Sequence, residues 1–181
     1  MLKHKIVLAS VLLACSLGSM AQNNIQSKNI NGSIFLPSRN ITDNLAAAPD
    51  FSAFYNLLKA SGTINTPAPP VTFLVPGNKA FAKLAPGELD TLVKPENTTA
   101  LVAMINKHIL PGKLTAASIA QLIKQNNGST VLTTAAGTTI TAKIDANRNI
   151  ILTDADGGTS VISRFDIAVQ NGLMHVVTEV L

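Results

Sequence analysis

The spacing of apolar residues changes once along this chain, and that change constrains the fold more than any other feature. Up to about residue 128 the apolar positions recur at helical intervals; from Ser129 onward they alternate. The alternating runs cover 129–134, 138–144, 149–153, 159–164 and 172–180. Gly137, Asp145–Arg148, Asp156–Gly158 and Asn171-Gly172 separate them. Breaks of that length and composition make hairpin turns, so the second half predicts an antiparallel sheet. Helices gathered in one half and strands in the other define an α+β domain.

Within the helical half, Ile41 to Ala48 is a short helix ended by Pro49. Asp50 is placed to cap a second helix carrying Phe51, Phe54, Tyr55 and Leu58, with Gly62 as its stop. Pro67, Pro69 and Pro70 mark a loop, and Val71 to Val75 reads as a buried strand. Asn78 is placed to cap the helical turn from Lys79 to Leu84, and Pro86 opens another short helix. Asn97 is placed to cap a longer helix with Leu101, Met104, Ile105 and His108 on one stripe, and Pro111-Gly112 then turns the chain. Thr115 caps a last helix bearing Ile119, Leu122 and Ile123.

The N-terminus reads as an export signal. Lys3, His4 and Lys5 precede an apolar run from Ile6 to Leu17, and Ser19-Met20-Ala21 supplies small residues ahead of Gln22. That run is shorter than the roughly 20 residues a membrane span requires. Residues 1–21 are thus expected to be a cleaved signal, residues 22–39 a polar leader without periodicity, and 40–181 the folded domain. An alternative cut exists. Leu12-Leu13-Ala14-Cys15 resembles a bacterial lipobox, and cleavage before Cys15 would leave a lipidated N-terminus as the only membrane attachment. Either cut removes Cys15 from the folded domain, and with it disulfides, thiol nucleophiles and thiolate metal sites.

Charge excludes other classes. Of 14 basic residues, Lys3 and Lys5 leave with the signal, so 12 face 10 acidic ones, scattered without a run of like sign. No stripe for nucleic acid is present, and the absence of Trp with a single Tyr argues against a base-stacking face. Asp154-x-Asp156-Gly157 and Asp145-x-Asn147-x-Asn149 miss the calcium-loop register, with Phe165 and Ile150 at positions that require Glu and Gly. Both read as turns. His108 and His175 lack a third metal ligand, and no nucleophile motif accompanies them.

Two blocks then stand out. Val71-Thr72-Phe73-Leu74-Val75-Pro76-Gly77-Asn78-Lys79-Ala80-Phe81 resembles the first signature of fasciclin-like domains. Asp166-Ile167 followed by Asn171-Gly172-Leu173-Met174-His175-Val176-Val177 is similar to the second. Between them, His108-Ile109-Leu110-Pro111-Gly112-Lys113 resembles the family's His-Val-Val-Pro-Gly-Lys stretch. The resemblance implies a wedge-shaped β-sandwich core flanked by helices. It also implies that Pro76, Asn78, Phe81, His108, Pro111, Gly112, Asn171, Gly172 and His175 are mainly structural.

For function, the resemblance implies a non-catalytic exported module for adhesion or for matrix or surface interaction, with no cofactor. Its partner would be a cell-surface or matrix protein or a polysaccharide. In animal members receptor binding is ascribed to an Asp-Ile pair, matched by Asp166-Ile167, and to a Tyr-His pair, where Lys107 replaces the Tyr before His108. Candidate interaction residues are therefore Asp166, Ile167, Lys107 and His108; a turn-facing Asp and a core Ile are the alternative for the first two. Two other readings stand beside adhesion: a pocket between helices and sheet for a small apolar ligand or polysaccharide, and an orphan hydrolase using an accessible histidine.

Overall fold

The computed structural model describes residues 26–62 and 70–181. The expected signal, both cleavage positions and Cys15 lie outside the described residues, as do Pro67 and Pro69.

The first described elements correct the sequence reading. Residues 28–35 belong to the domain and not to a leader: β1 (Lys28–Ile30) and β2 (Ser33–Phe35) form an antiparallel hairpin. Asn31 and Gly32 have φ of 51° and 87°, the two positive values of a tight primed turn. Ile30 and Phe35 are buried, and the Phe35 ring meets Phe51 edge-on at 5.8 Å. Strands of three residues are too short to register as a period, but the Asn-Gly step carries the signal.

Helix α1 (Ile41–Ala46) is capped by Asn40, whose Oδ1 accepts from the Asp43 N–H at 2.8 Å. The others are α2 (Ser52–Ser61), α3 (Asn78–Phe81), α4 (Glu88–Leu92), α5 (Thr98–Lys107) and α6 (Ala116–Gln125). Thr115 caps α6, accepting from the Ser118 N–H at 3.0 Å. Asp50 and Asn97 cap nothing. Each lies within a proline-led 3-10 turn, Pro49–Phe51 or Pro95–Asn97, that runs straight into its helix. The Asn97 amide instead donates to the Thr91 carbonyl at 2.8 Å.

The remaining strands are β3 (Val71–Pro76), β4 (Ile109–Pro111), β5 (Ser129–Thr133), β6 (Thr139–Ile144), β7 (Ile150–Thr153), β8 (Thr159–Val169) and β9 (Gly172–Val177). They form one sheet in the order β4-β3-β9-β8-β7-β6-β5. From β5 to β9 the neighbours are antiparallel hairpins, as the alternation predicts. Three features escaped the pattern. Strand β9 pairs in parallel with β3, β4 forms where only a turn was expected, and β8 continues through two register shifts to Val169. Beyond β5, the Ala135 N–H donates to the Ile109 carbonyl at 2.8 Å, so the two ends of the sheet meet and it curls like a barrel.

The curl makes two cores. Phe35, Phe51, Phe54, Leu101, Ile105 and Met174 pack between the hairpin, the early helices and one face of the central strands. Leu74, Ile119, Ile123, Ile140, Leu152 and Val177 fill the inside of the curl beneath α6. Every residue of β3 and β9 is therefore buried, the usual condition of a parallel pair covered on both faces. At the start of β9 the backbone comes so close to β3 that a Cβ on Gly172 would lie 1.9 Å from the Val71 carbonyl oxygen. Only glycine fits there.

If the hairpin belongs to the core, Phe35→Ala should cost about 3–5 kcal/mol in chemical denaturation. Ile34→Ala, one residue away but 57 % exposed, should stay within roughly 0.5 kcal/mol.

Candidate functional site

Three polar residues of the family-like blocks, Thr72, Asp166 and His175, converge on one loop. Thr72, fully buried in β3, donates its hydroxyl to the Gly112 carbonyl and accepts from the Leu114 N–H, both at 2.8 Å. His175, on the neighbouring strand, holds the same loop: its Nε2–H donates to the Leu114 carbonyl at 2.8 Å. Its Nδ1 accepts from the Asp166 N–H at 3.2 Å, which fixes the tautomer. Asp166 completes the clamp, its Oδ1 accepting from the Ala116 N–H at 2.9 Å, an otherwise orphaned donor in the first turn of α6.

Asp166 does this from a strained position. Its φ is 55°, a left-handed value that Asp tolerates better than most residues, and it falls at the register shift between Arg164 and Ile167. The irregularity returns Ile167 to the core with no exposed surface and leaves Phe165 52 % exposed. The Lys28 ammonium stands 5.4 Å from the Phe165 ring centroid and donates to the Phe165 carbonyl, tying the N-terminal hairpin to this bulge. Beside Phe165 a groove of about 280 Å³ runs between α6 and strands β6 to β8, lined by Ala116, Ala120, Ile144, Arg148 and Ile162.

His108 occupies a different place. It is fully buried at the end of α5 with its ring 5.7 Å from Phe54. Its Nδ1–H donates to the Met104 carbonyl at 2.9 Å, and its Nε2 accepts from the Leu181 N–H at 3.2 Å. Burial, partly opposed by the Met104 bond, lowers its pKa to about 4. Burial also lowers the pKa of His175, opposed by the Leu114 bond and by Asp166. Both imidazoles are thus neutral with both ring nitrogens occupied, and neither has a nitrogen left to take a proton from a substrate. The hydrolase reading loses its base.

The four candidate interaction residues do not form one surface. Ile167 and His108 are closed off from solvent. Lys107 reaches the loop after β7, pairing with Asp156 at 3.6 Å, while Asp166 is bound to the start of α6. Phe165, the exposed aromatic residue between them in the chain, was missed because an alternating period gives no warning of a bulge.

Asn78 corrects another expectation. It does not cap its own helix. Its Oδ1 accepts from the Ala53 N–H at 3.0 Å, and its Nδ2 donates to the Pro49 carbonyl at 2.9 Å and to Ser52 Oγ at 3.0 Å. It serves the N-terminus of α2 across space, because α2 has no capping side chain of its own. Asn171 bridges similarly, its Oδ1 accepting from the Ile41 N–H at 3.1 Å. Next to Asn78 a partly open cleft of about 370 Å³ lies between α3 and strands β8 and β9. Among the described residues no group of three or more His, Cys, Asp or Glu is arranged to hold a metal ion. No described helix is long and apolar enough to cross a membrane.

Comparison with known proteins agrees with this arrangement. The family model for the Fasciclin domain matches residues 49–181, and the chain belongs to that family. Protein sll1483 of Synechocystis sp. is 29 % identical over 143 residues, covering 78 % of this chain and 72 % of that protein. Uncharacterized protein sll1735 of the same organism is 31 % identical over 146 residues, covering 78 % of this chain and 96 % of that one. Among solved structures, the FAS1 domain pair from the insect cell adhesion molecule Fasciclin I superposes with a TM-score of 0.67 at 20 % identity. That match takes in 79 % of this chain, which spans half the length of the domain pair.

The histidine burial has a pH consequence. A folded-state pKa of about 4 against 6.5 unfolded means that the unfolded chain takes up the proton first as pH falls. The His108 contribution is therefore complete above pH 6.5 and lost as pH falls toward 4, worth roughly 3 kcal/mol in all. His175 adds in the same direction. Denaturation at stepped pH should show stability flat near neutrality and falling across this window, with a shallower fall in His108→Gln.

Proposed function

We propose that this fasciclin domain is a non-catalytic interaction module that works outside the cytoplasm, attaching to a cell-surface or matrix partner through the face that carries Phe165. The observation behind this reading is the bulge in β8. Its polar residue, Asp166, is used inside the fold, while its aromatic residue stands in solvent beside an apolar groove. Phe165 is the one aromatic side chain among the large apolar residues that are exposed in the described chain. Exposed aromatics set by rigid backbone are typical anchors of protein interfaces. The similarity to the insect cell adhesion molecule Fasciclin I and the signal-like N-terminus of this chain point the same way.

The reading separates two adjacent residues. Phe165→Ser, which gives up only the exposed Lys28–ring contact, should cost no more than about 1 kcal/mol in stability and weaken saturable binding to intact producing cells or their extracted matrix by about tenfold. Asp166→Ala should lower folding stability by about 1–2 kcal/mol, through loss of the bond to the Ala116 N–H, and leave the affinity of the folded fraction intact. Absence of saturable binding, or binding indifferent to Phe165→Ser, would overturn the proposal.

A further inference from the structure

The cleft beside Asn78 is separate from the Phe165 face, and its chemistry points to a ligand of a different kind. Three elements distant in sequence form its rim: the β1–β2 turn gives Asn31, the 3-10 turn before α2 gives Asp50, and α3 gives Lys79. None of these three side chains has a hydrogen-bond or ion-pair partner among the described residues, although the polar groups around them do. Asn78 is fully engaged with the start of α2, Ser163 donates to the Val176 carbonyl at 3.2 Å, and Thr178 accepts from the Val161 N–H at 3.0 Å. Lys83, also on the rim, pairs with Glu179. Carbon makes up most of the rest of the lining.

Two properties narrow the ligand class. The first is charge balance: Lys79 and Lys83 are matched by Asp50 and Glu179, so the cleft offers no net field for an ion. The second is the donor and acceptor set. A carboxylate only accepts, an ammonium only donates, and a carboxamide does both. Placed around an apolar lining, they suit a ligand that presents several hydroxyls at its edge, each both donor and acceptor, and C–H groups on its face. A volume of about 370 Å³ is near the small end of ligand pockets and suits one six-membered sugar ring with bridging water.

We propose that this cleft binds one neutral hexose unit of a surface or matrix polysaccharide. Asp50 accepts from adjacent hydroxyls, Lys79 and Asn31 donate to others, and the ring's apolar face lies against the carbon lining of the cleft. The inference is independent of the Phe165 reading. A domain with both sites would hold a protein at one face and a glycan at the other.

Amide-resolved NMR titration of the protein with methyl glucoside, methyl galactoside and methyl mannoside tests it. At least one of these should produce saturable shifts at Asn31, Asp50, Phe51, Lys79 and Ser163. Asp50→Ala should weaken that binding by about tenfold, and Lys79→Ala by a smaller factor. All three rim groups are exposed, so loss of fold does not confuse the result. Phe165→Ser should leave the sugar shifts unchanged, which keeps failure of this site distinct from failure of the other. Affinity for a neutral sugar should be the same at roughly 50 and 500 mM salt. The proposal is overturned if no glycoside gives saturable shifts at the cleft, if Asp50→Ala binds as well as the parent, or if methyl glucuronide binds more tightly with steep salt dependence.

Discussion

The parallel pairing of β3 with β9 is the constraint on which the rest of this domain depends. It places two fully buried strands side by side within the sheet, so both faces need cover. The early helices and the N-terminal hairpin cover one face, and the curled hairpin strands with α6 cover the other. The approach of the two backbones at Gly172 leaves no room for a side chain, which fixes the register from its first residue. A one-residue slip would exchange the two cores and put His175 where Met174 now packs.

Around that pair the buried polar groups are used economically. Thr72, His175 and Asp166 come from three strands and hold one loop, and through it the start of α6. His108 does a similar task elsewhere in the fold, holding the backbone of Leu181. The two histidines take opposite tautomers, each dictated by whether the carbonyl it meets faces Nδ1 or Nε2. These bonds account for the motif residues as parts of the scaffold and leave the outward-facing residues between them free for other uses. Phe165 and the rim of Asn31, Asp50 and Lys79 are such residues.

Much of this was legible in the chain. The change of apolar spacing at Ser129 located the hairpin strands, Thr115 announced the start of α6, and Asn171-Gly172 marked the last turn before β9. What escaped was non-local or too short to repeat. Parallel pairing leaves no trace in the spacing of either strand, and three-residue strands such as β1, β2 and β4 contain less than two periods. Asn78 and Asp50 were read as caps of the helices they precede, because a sequence offers only its neighbours as partners. Asn78 instead serves a helix 25 residues away. The bulge at Asp166 shifted the alternation that would have shown Ile167 inside and Phe165 outside.

The position of β9 has a consequence in time. Strand β9, inside the sheet between β3 and β8, follows all the other described strands in sequence, and its partner β3 lies about a hundred residues earlier. While the chain emerges N-terminus first, β3 and β8 have a gap between them that no earlier segment fills. The helices can form, and the hairpins from β5 to β8 can pair, but neither core closes until residues 172–177 arrive. Such a chain stays incompletely folded during synthesis and gains its cooperativity in a single late step.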